Sequence, residues 1–249
     1  MKVSIITVVY QNREFLSNAI DSVLGQVYDD IEYIVVDGGS KDGSVELIKS
    51  YGDKISKFIS ESDDGMYDAL NKGISMATGD IIALLNSDDF YVNRFVISQA
   101  VEAFKKYNCD AIYGNLYYVN NSQVEKIIRT WDAGIYNSSN FYKGWMPPHP
   151  TFYVKREVYE KYGSFNTKLK YAADYELMLR FILKHKISLH YIPKFFIKMR
   201  VGGKSNRTLL NRILANVEDR KAWQINGIKP RFYTLLFKPL SKILQYRLF

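Results

Sequence analysis

The stretch "KVSIITVVY" (residues 2–10) is nearly all apolar and rich in β-branched side chains. Phe15, Leu16, Ala19, Ile20, Val23 and Leu24 follow it at i, i+1, i+4, i+5, i+8 and i+9, the spacing of one helix face. This strand-then-helix unit then repeats. "IEYIVVD" (31–37) reads as a second strand, "GGS" breaks it, and Val45, Ile48 and Tyr51 mark another helix. A strand in "KISKFIS" (54–60), a helix in "MYDALNKGISMA" (66–77), a strand in "DIIALLN" (80–86) and a helix over 93–107 continue the alternation. Strands that run as unbroken apolar segments are buried on both faces, so the pattern predicts an α/β fold with a parallel sheet covered by helices.

After "DAIYGNLYYV" (110–119) the rhythm loosens into a second strand near 124–131, a loop holding "WMPPHP" (145–150) and a helix "ADYELMLRFILKH" (173–185). Leu209, Leu210, Ile213, Leu214 and Val217 give a further amphipathic helix, and "NGIKP" (226–230) ends it. With 249 residues, 47% of them hydrophobic, the chain can bury one sizeable core. The expected organisation is one domain over 1–205, built from an α/β half (1–107) and an α+β half (108–205), followed by C-terminal helices over 206–249.

The single cysteine, Cys109, excludes an internal disulfide framework. Together with an N-terminus that does not read as a signal peptide, it makes a reducing cytoplasm the expected compartment. No apolar stretch reaches the roughly 18 residues of a membrane-spanning helix. The net charge of +8 is unevenly placed: Lys229, Arg231, Lys238, Lys242 and Arg247 lie in 228–249 with no acidic residue among them, leaving +3 for the other 227 residues. A nucleic-acid-binding protein should instead carry a basic stripe through its fold, so no nucleic-acid partner is expected. From Arg231 onward, leucines and phenylalanine alternate with these cations, as in an interfacial helix on anionic lipid, with Pro239 dividing it. Packing on the catalytic core, or a homodimer contact, would use the same residues.

In an open parallel sheet, ligands gather beyond the carboxyl ends of the strands. Asp37 ends the second strand, and Asp88 and Asp89 follow the fourth. "VVDGGSKDGS" has neither the GxGxxG of a dinucleotide site nor the GK[ST] of a P-loop. Two adjacent carboxylates repel, and a hard cation such as Mg²⁺ or Mn²⁺ removes the problem while binding substrate phosphate oxygens. Taken alone, the pair equally suits a solvated turn or a helix cap.

Five stretches in order, "SIITVVYQN", "VVDGGSKDGS", "ESDDGMYDALNKGI", "LLNSDD" and "ADYELMLR", closely resemble the family 2 glycosyltransferases of the GT-A fold. The resemblance covers residues 2–205 and is greatest to the bacterial branch that builds O-antigen, capsule and exopolysaccharide. It implies a Rossmann-like nucleotide-binding half with a mixed central sheet, joined to an acceptor half. Thr7, Val9 and Tyr10 would line the nucleotide pocket, and Asp37 would hydrogen-bond the uracil of a UDP-sugar. Asp68, Asn71 and Lys72 are assigned with them to the nucleotide, Asp88 to ribose or metal, and Asp89 to the role of principal Mn²⁺ or Mg²⁺ ligand.

Asp174 matches the family's general base for an inverting transfer. His149 is a candidate for the metal shell or the acceptor, and Trp145 for stacking on an acceptor sugar, each with a structural role as alternative. Many members carry arginine where this chain has Leu70, so Lys72 would have to meet diphosphate charge as a point cation. The loop over 200–206, with Lys204 and Ser205, is a candidate to close over the diphosphate. Absence of the QxxRW signature favours transfer of one sugar at a time. The implied acceptor is an undecaprenyl-diphosphate-linked saccharide, with the enzyme peripherally attached to the inner face of the cell membrane. A polyprenyl monophosphate or a protein is the alternative acceptor.

Overall fold

The computed structural model describes residues 1–202 and 209–234. The first unit is strand β1 (Val3–Val9) and helix α1 (Arg13–Leu24), followed by β2 (Ile31–Asp37), α2 (Ser44–Ser50), β3 (Lys57–Ser60), α3 (Met66–Met76) and β4 (Ile81–Asn86). A two-residue strand β5 (Phe90–Tyr91) and helix α4 (Val96–Tyr107) close this half. Next come β6 (Ala111–Val119), β7 (Ile127–Trp131), α5 (Ser138–Tyr142), β8 (Tyr153–Lys155) and α6 (Arg156–Tyr162). Helix α7 (Ala173–Met178), β9 (Leu189–Arg200) and α8 (Leu209–Ile225) complete the described chain.

One nine-stranded mixed sheet runs through both halves in the order β3-β2-β1-β4-β8-β6-β9-β5, with β7 paired to β6. Strands β1 to β4 are parallel to one another, β8 joins β4 to β6 antiparallel to both, and β6 and β9 are parallel. The buried side chains divide between the two faces. Ile5 and Val9 of β1 pack with α1 and α4 through Leu16, Ile20, Ile97 and Val101. Ile6 and Val8 face the other way, toward Leu70 of α3 and the α7 residues Tyr175 and Met178. Two-sided burial explains why these strands read as unbroken apolar runs.

Three elements depart from the sequence expectation. Strand β9 was not anticipated: Pro193 breaks its pattern, and between the Tyr113–Tyr191 and Asn115–Phe195 pairs one residue of β6 opposes three of β9, a bulge that absorbs the proline. The expected helix over 173–185 is α-helical only through Met178 and continues as π-helix over Leu179–Lys184. Helix α8 ends at Ile225, just before "NGIKP" as expected, but Ile213, Leu214 and Val217, expected on its buried face, are exposed.

At the amino ends of the strands, opposite the carboxyl rim, Glu32 is a buried carboxylate, 4% exposed. Ser4 Oγ donates to it at 2.6 Å, the Thr78 N–H at 2.7 Å, Thr78 Oγ1 at 2.8 Å, and Lys57 Nζ lies at 2.9 Å. Burial alone would push its pKa up, but these donors outweigh burial and lower it to about 2. A carboxyl depressed in the folded state adds stability above its unfolded value near 4.5, and that stability is lost as pH falls toward 2. Glu32→Gln should therefore cost about 2–3 kcal/mol at pH 7 and much less at pH 3. Urea midpoints at the two pH values test this, and a cost that does not change with pH would contradict it.

Candidate active site

Register builds the rim. In the parallel β2-β1-β4 trio, Val9 lies opposite Asp37 and Val8 opposite Asn86, so the carboxyl ends of three adjacent strands finish together. The loops leaving them are tied to one another. Asn12 Nδ2 donates to Ser87 Oγ at 2.8 Å, the Gln11 N–H to Ser40 Oγ at 2.8 Å, and the Arg13 N–H to Asp42 Oδ2 at 2.9 Å.

Asp37 is fully buried, and its Oδ2 accepts from the Gly39 N–H (3.0 Å), the Ser40 N–H (2.9 Å) and Ser60 Oγ (2.7 Å). Its Oδ1 is buried without a hydrogen-bond partner, an acceptor oriented by three donors on its twin oxygen. Beside it, a Cβ added to Gly38 would sit 2.6 Å from Asp63 Oδ2 and 3.3 Å from the ring of Tyr10. A side chain there would have to displace the Asp63 carboxylate. Tyr10 itself is 67% exposed.

The "NSDD" turn separates its two carboxylates. Asp89 is 1% exposed: its Oδ2 accepts from Asn86 Nδ2 at 2.9 Å and its Oδ1 from the Arg200 N–H at 3.3 Å. Burial, and then the charge of Asp88, hold the Asp89 carboxyl well above the usual range. Asp88 is only partly buried, and its main-chain carbonyl accepts from Arg200 Nη1 at 2.6 Å. The Arg200 guanidinium lies over the rings of Phe15 (4.5 Å) and Phe90 (5.0 Å).

Across the site, Asp174 sits in the first turn of α7. Tyr67, from the first turn of α3, donates to Asp174 Oδ1 at 3.1 Å, and His149 Nδ1 lies 3.7 Å from Asp174 Oδ2. Burial and the Asp174 charge push the Tyr67 hydroxyl well up, so it stays a donor. Burial lowers the His149 pKa, against the pull of Asp174. His149 and Asp174 border a cavity of about 10 Å³ together with Leu84, Phe152, Phe165 and Leu177.

Residues 4–163 match the family described as Glycosyl transferase family 2. The chain belongs to glycosyltransferase family 2. An uncharacterized glycosyltransferase of Rickettsia typhi is 32% identical over 218 residues, which cover 85% of this chain and 68% of that protein. One of Mycobacterium tuberculosis is 31% identical over 180 residues, 72% of this chain and 68% of the relative. Among solved structures, Staphylococcus aureus TarS 1-349 in complex with UDP-GlcNAc superposes with a TM-score of 0.71 at 16% identity, covering 91% of this chain and 66% of that one. The mannosyltransferase PcManGT of Pyrobaculum calidifontis, in complex with GDP-Man and Mn²⁺, gives 0.66 at 18% identity, covering 98% and 69%. At such identities these two likenesses show the GT-A-like fold.

Within this glycosyltransferase, the structure gives several of the expected site residues other work. Thr7 is fully buried and accepts from Tyr33 Oη at 3.1 Å, and Val9 is in the core, which leaves Tyr10 as the only exposed side chain of the three. Asn71 holds the Phe165 backbone with both ends of its amide, at 2.9 and 2.8 Å. Lys72 pairs with Glu61 (2.9 Å) and Asp68 (3.5 Å) and donates to the Ser62 carbonyl, so its charge is matched locally. Trp145 is an anchor: Nε1 donates to the Ala133 carbonyl at 2.7 Å, and its ring meets Tyr113, Tyr136 and Phe141. The contact His149 makes is with Asp174. Lys204 and Ser205 lie outside the described residues.

Sequence reasoning missed Asp63, Tyr67, Arg200 and Glu218. Asp63 and Tyr67 stand inside the quoted "ESDDGMYDALNKGI" motif, whereas Arg200 and Glu218 act across long separations that no local pattern reports. The Glu218 carboxylate of α8 accepts from the N–H groups of Lys170 (3.0 Å), Tyr171 (2.7 Å) and Ala172 (3.1 Å), just ahead of the helix that carries Asp174. Such charge-assisted bonds to otherwise orphaned donors are worth more than neutral ones. Glu218→Ala should destabilise the fold by about 2 kcal/mol. A denaturant midpoint equal to that of the parent protein would show that this clamp contributes nothing.

Proposed function

We propose that this glycosyltransferase is an inverting, metal-dependent enzyme that moves one sugar from a nucleotide diphosphate sugar, a UDP-hexose or UDP-HexNAc, to a lipid-linked oligosaccharide in bacterial surface polysaccharide synthesis. The observation that carries the chemistry is Asp174. It is held by Tyr67 at the start of α3, the helix whose preceding loop borders Asp37 and Gly38, so the carboxylate is tied through α3 to the rim at Asp37.

Asp37 suits a pyrimidine base: its free Oδ1 matches a ring N–H donor, and Tyr10 and Gly38 offer a ring face and a close backbone approach. A divalent cation is read at the turn after β4 with Asp88 as its ligand, because Asp88 is the more exposed of the two carboxylates; phosphate oxygens and water would supply the remaining ligands. On this reading Asp88 holds Mn²⁺ or Mg²⁺ and Asp89 shapes the turn, the reverse of the division expected from sequence. The cation would neutralise charge on the departing diphosphate.

Asp174 takes the proton of the acceptor hydroxyl as that oxygen bonds to C1 of the donor sugar. The bond from C1 to the diphosphate oxygen breaks on the opposite face, the anomeric configuration inverts, and UDP leaves with the electron pair. His149 and Tyr67 keep the Asp174 carboxylate aimed while this happens. The TarS and PcManGT complexes with UDP-GlcNAc and with GDP-Man and Mn²⁺ support a nucleotide sugar and a metal here. A lipid-bound acceptor accounts for a basic, apolar C-terminus with peripheral attachment at the inner face of the cell membrane.

Release of UDP from common nucleotide sugars, measured with Mn²⁺ or Mg²⁺ and a short lipid-diphosphate saccharide, tests the reading directly. Asp174→Asn should lower turnover by about 10²- to 10⁴-fold and leave UDP binding intact. Asp88→Asn should abolish metal-dependent UDP binding. The absence of both release and metal-dependent binding with every donor would refute the proposal.

A further inference from the structure

Helix α8 is turned inside out. Its inward side carries Glu218, Asp219, Ala222, Trp223 and Asn226: Asp219 and Asn226 are buried, Trp223 Nε1 donates to Tyr175 Oη at 3.0 Å, and Asn226 Nδ2 donates to Glu176 Oε1 at 3.1 Å. Its outward side carries Ile213, Leu214, Val217 and Ile225, each 40–53% exposed, together with Arg220 and Lys221. In an ordinary surface helix the aliphatic stripe faces the core. Here the aliphatic stripe faces solvent, and both acidic residues of the helix face the protein.

The exposed face therefore combines apolar side chains with cations and no acid. Beyond it the same character continues: Lys229, Arg231 and Phe232 are exposed, Phe232 to 92%. Arg220, Gln224, Pro230, Arg231 and Phe232 surround an open concavity of about 300 Å³. From Arg220 to Phe249 the sequence holds seven basic residues and no acidic one.

We infer that the outward face of α8 is the surface by which this glycosyltransferase docks on an anionic lipid bilayer, lying in the membrane plane with Ile213, Leu214, Val217 and Ile225 among the acyl chains near the headgroups. Arg220 and Arg231, on the walls of the concavity, meet lipid phosphate. Charge decides between occupants: a two-fold contact between copies would bury this cationic, acid-free face against an identical one, whereas an anionic surface is complementary to it. Apolar insertion and cation attraction act together at such a surface. This deepens the placement at a membrane proposed above by naming the element that makes contact. Its test uses no sugar chemistry, so it can fail or succeed independently of the transferase reading.

The experiment is flotation of the full chain with vesicles of phosphatidylcholine alone and of phosphatidylcholine with phosphatidylglycerol. Binding to the mixed vesicles, at least tenfold weaker to the neutral ones and reduced by salt, is expected. Ile213→Glu with Val217→Glu should lower binding at least tenfold while leaving the melting temperature unchanged, because both side chains are exposed. Equal binding by this variant overturns the inference. So does sedimentation showing a dimer that the same substitutions dissociate, since a second copy would then cover the face. Removal of 235–249 should leave most of the binding in place; its complete loss would assign docking to that segment instead.

Discussion

The burial of Asp89 is the constraint on which the rest of the site depends. A carboxylate 1% exposed and next to another carboxylate is costly unless its oxygens are matched by donors, and the chain meets that cost from two directions. Asn86, three residues earlier, supplies one donor; the backbone of Arg200, 111 residues later, supplies the other. Arg200 ends the strand that pairs along β6, so the turn after β4 takes its shape only once the second half of the sheet is in place. The nucleotide rim belongs to the first hundred residues by sequence and to the whole sheet by physics.

What could be read from sequence follows the range of the interactions involved. Strands β1, β2 and β4 were legible because two-sided burial writes itself into consecutive residues. Strand β9 was not, because Pro193 and the surrounding bulge erase its periodicity, and it is held by register with β6 rather than by its own pattern. Asp37 and Asp174 stood out as members of motifs. For Asn71, Lys72 and Trp145 the structure adds partners outside the motif, Phe165, Glu61 and Ala133, which no local pattern reports. Asp88 and Asp89 are adjacent in sequence, and only their burial distinguishes them.

Charge at the site is tightly committed. With leucine at position 70, Lys72 was the natural replacement for a missing guanidinium, but Glu61 and Asp68 already hold its ammonium. Arg200 is buried between aromatic rings, and one arm of its fork is given to the Asp88 carbonyl. Lys72 and Arg200 thus both have other duties.

The inverted helix α8 is tied to the segment that leads into its neighbour. Just ahead of helix α7, which presents Asp174, the N–H groups of Lys170, Tyr171 and Ala172 converge on one acceptor, the Glu218 carboxylate. Once Glu218 faces inward, helical spacing turns Ala222 and Asn226 inward with it and leaves Ile213, Val217, Arg220 and Gln224 on the far side. Holding the segment ahead of Asp174 thereby fixes which face of α8 is left to solvent. Polar residues on that face would have met every demand of the fold; aliphatic ones among cations answer a demand that the fold alone does not make.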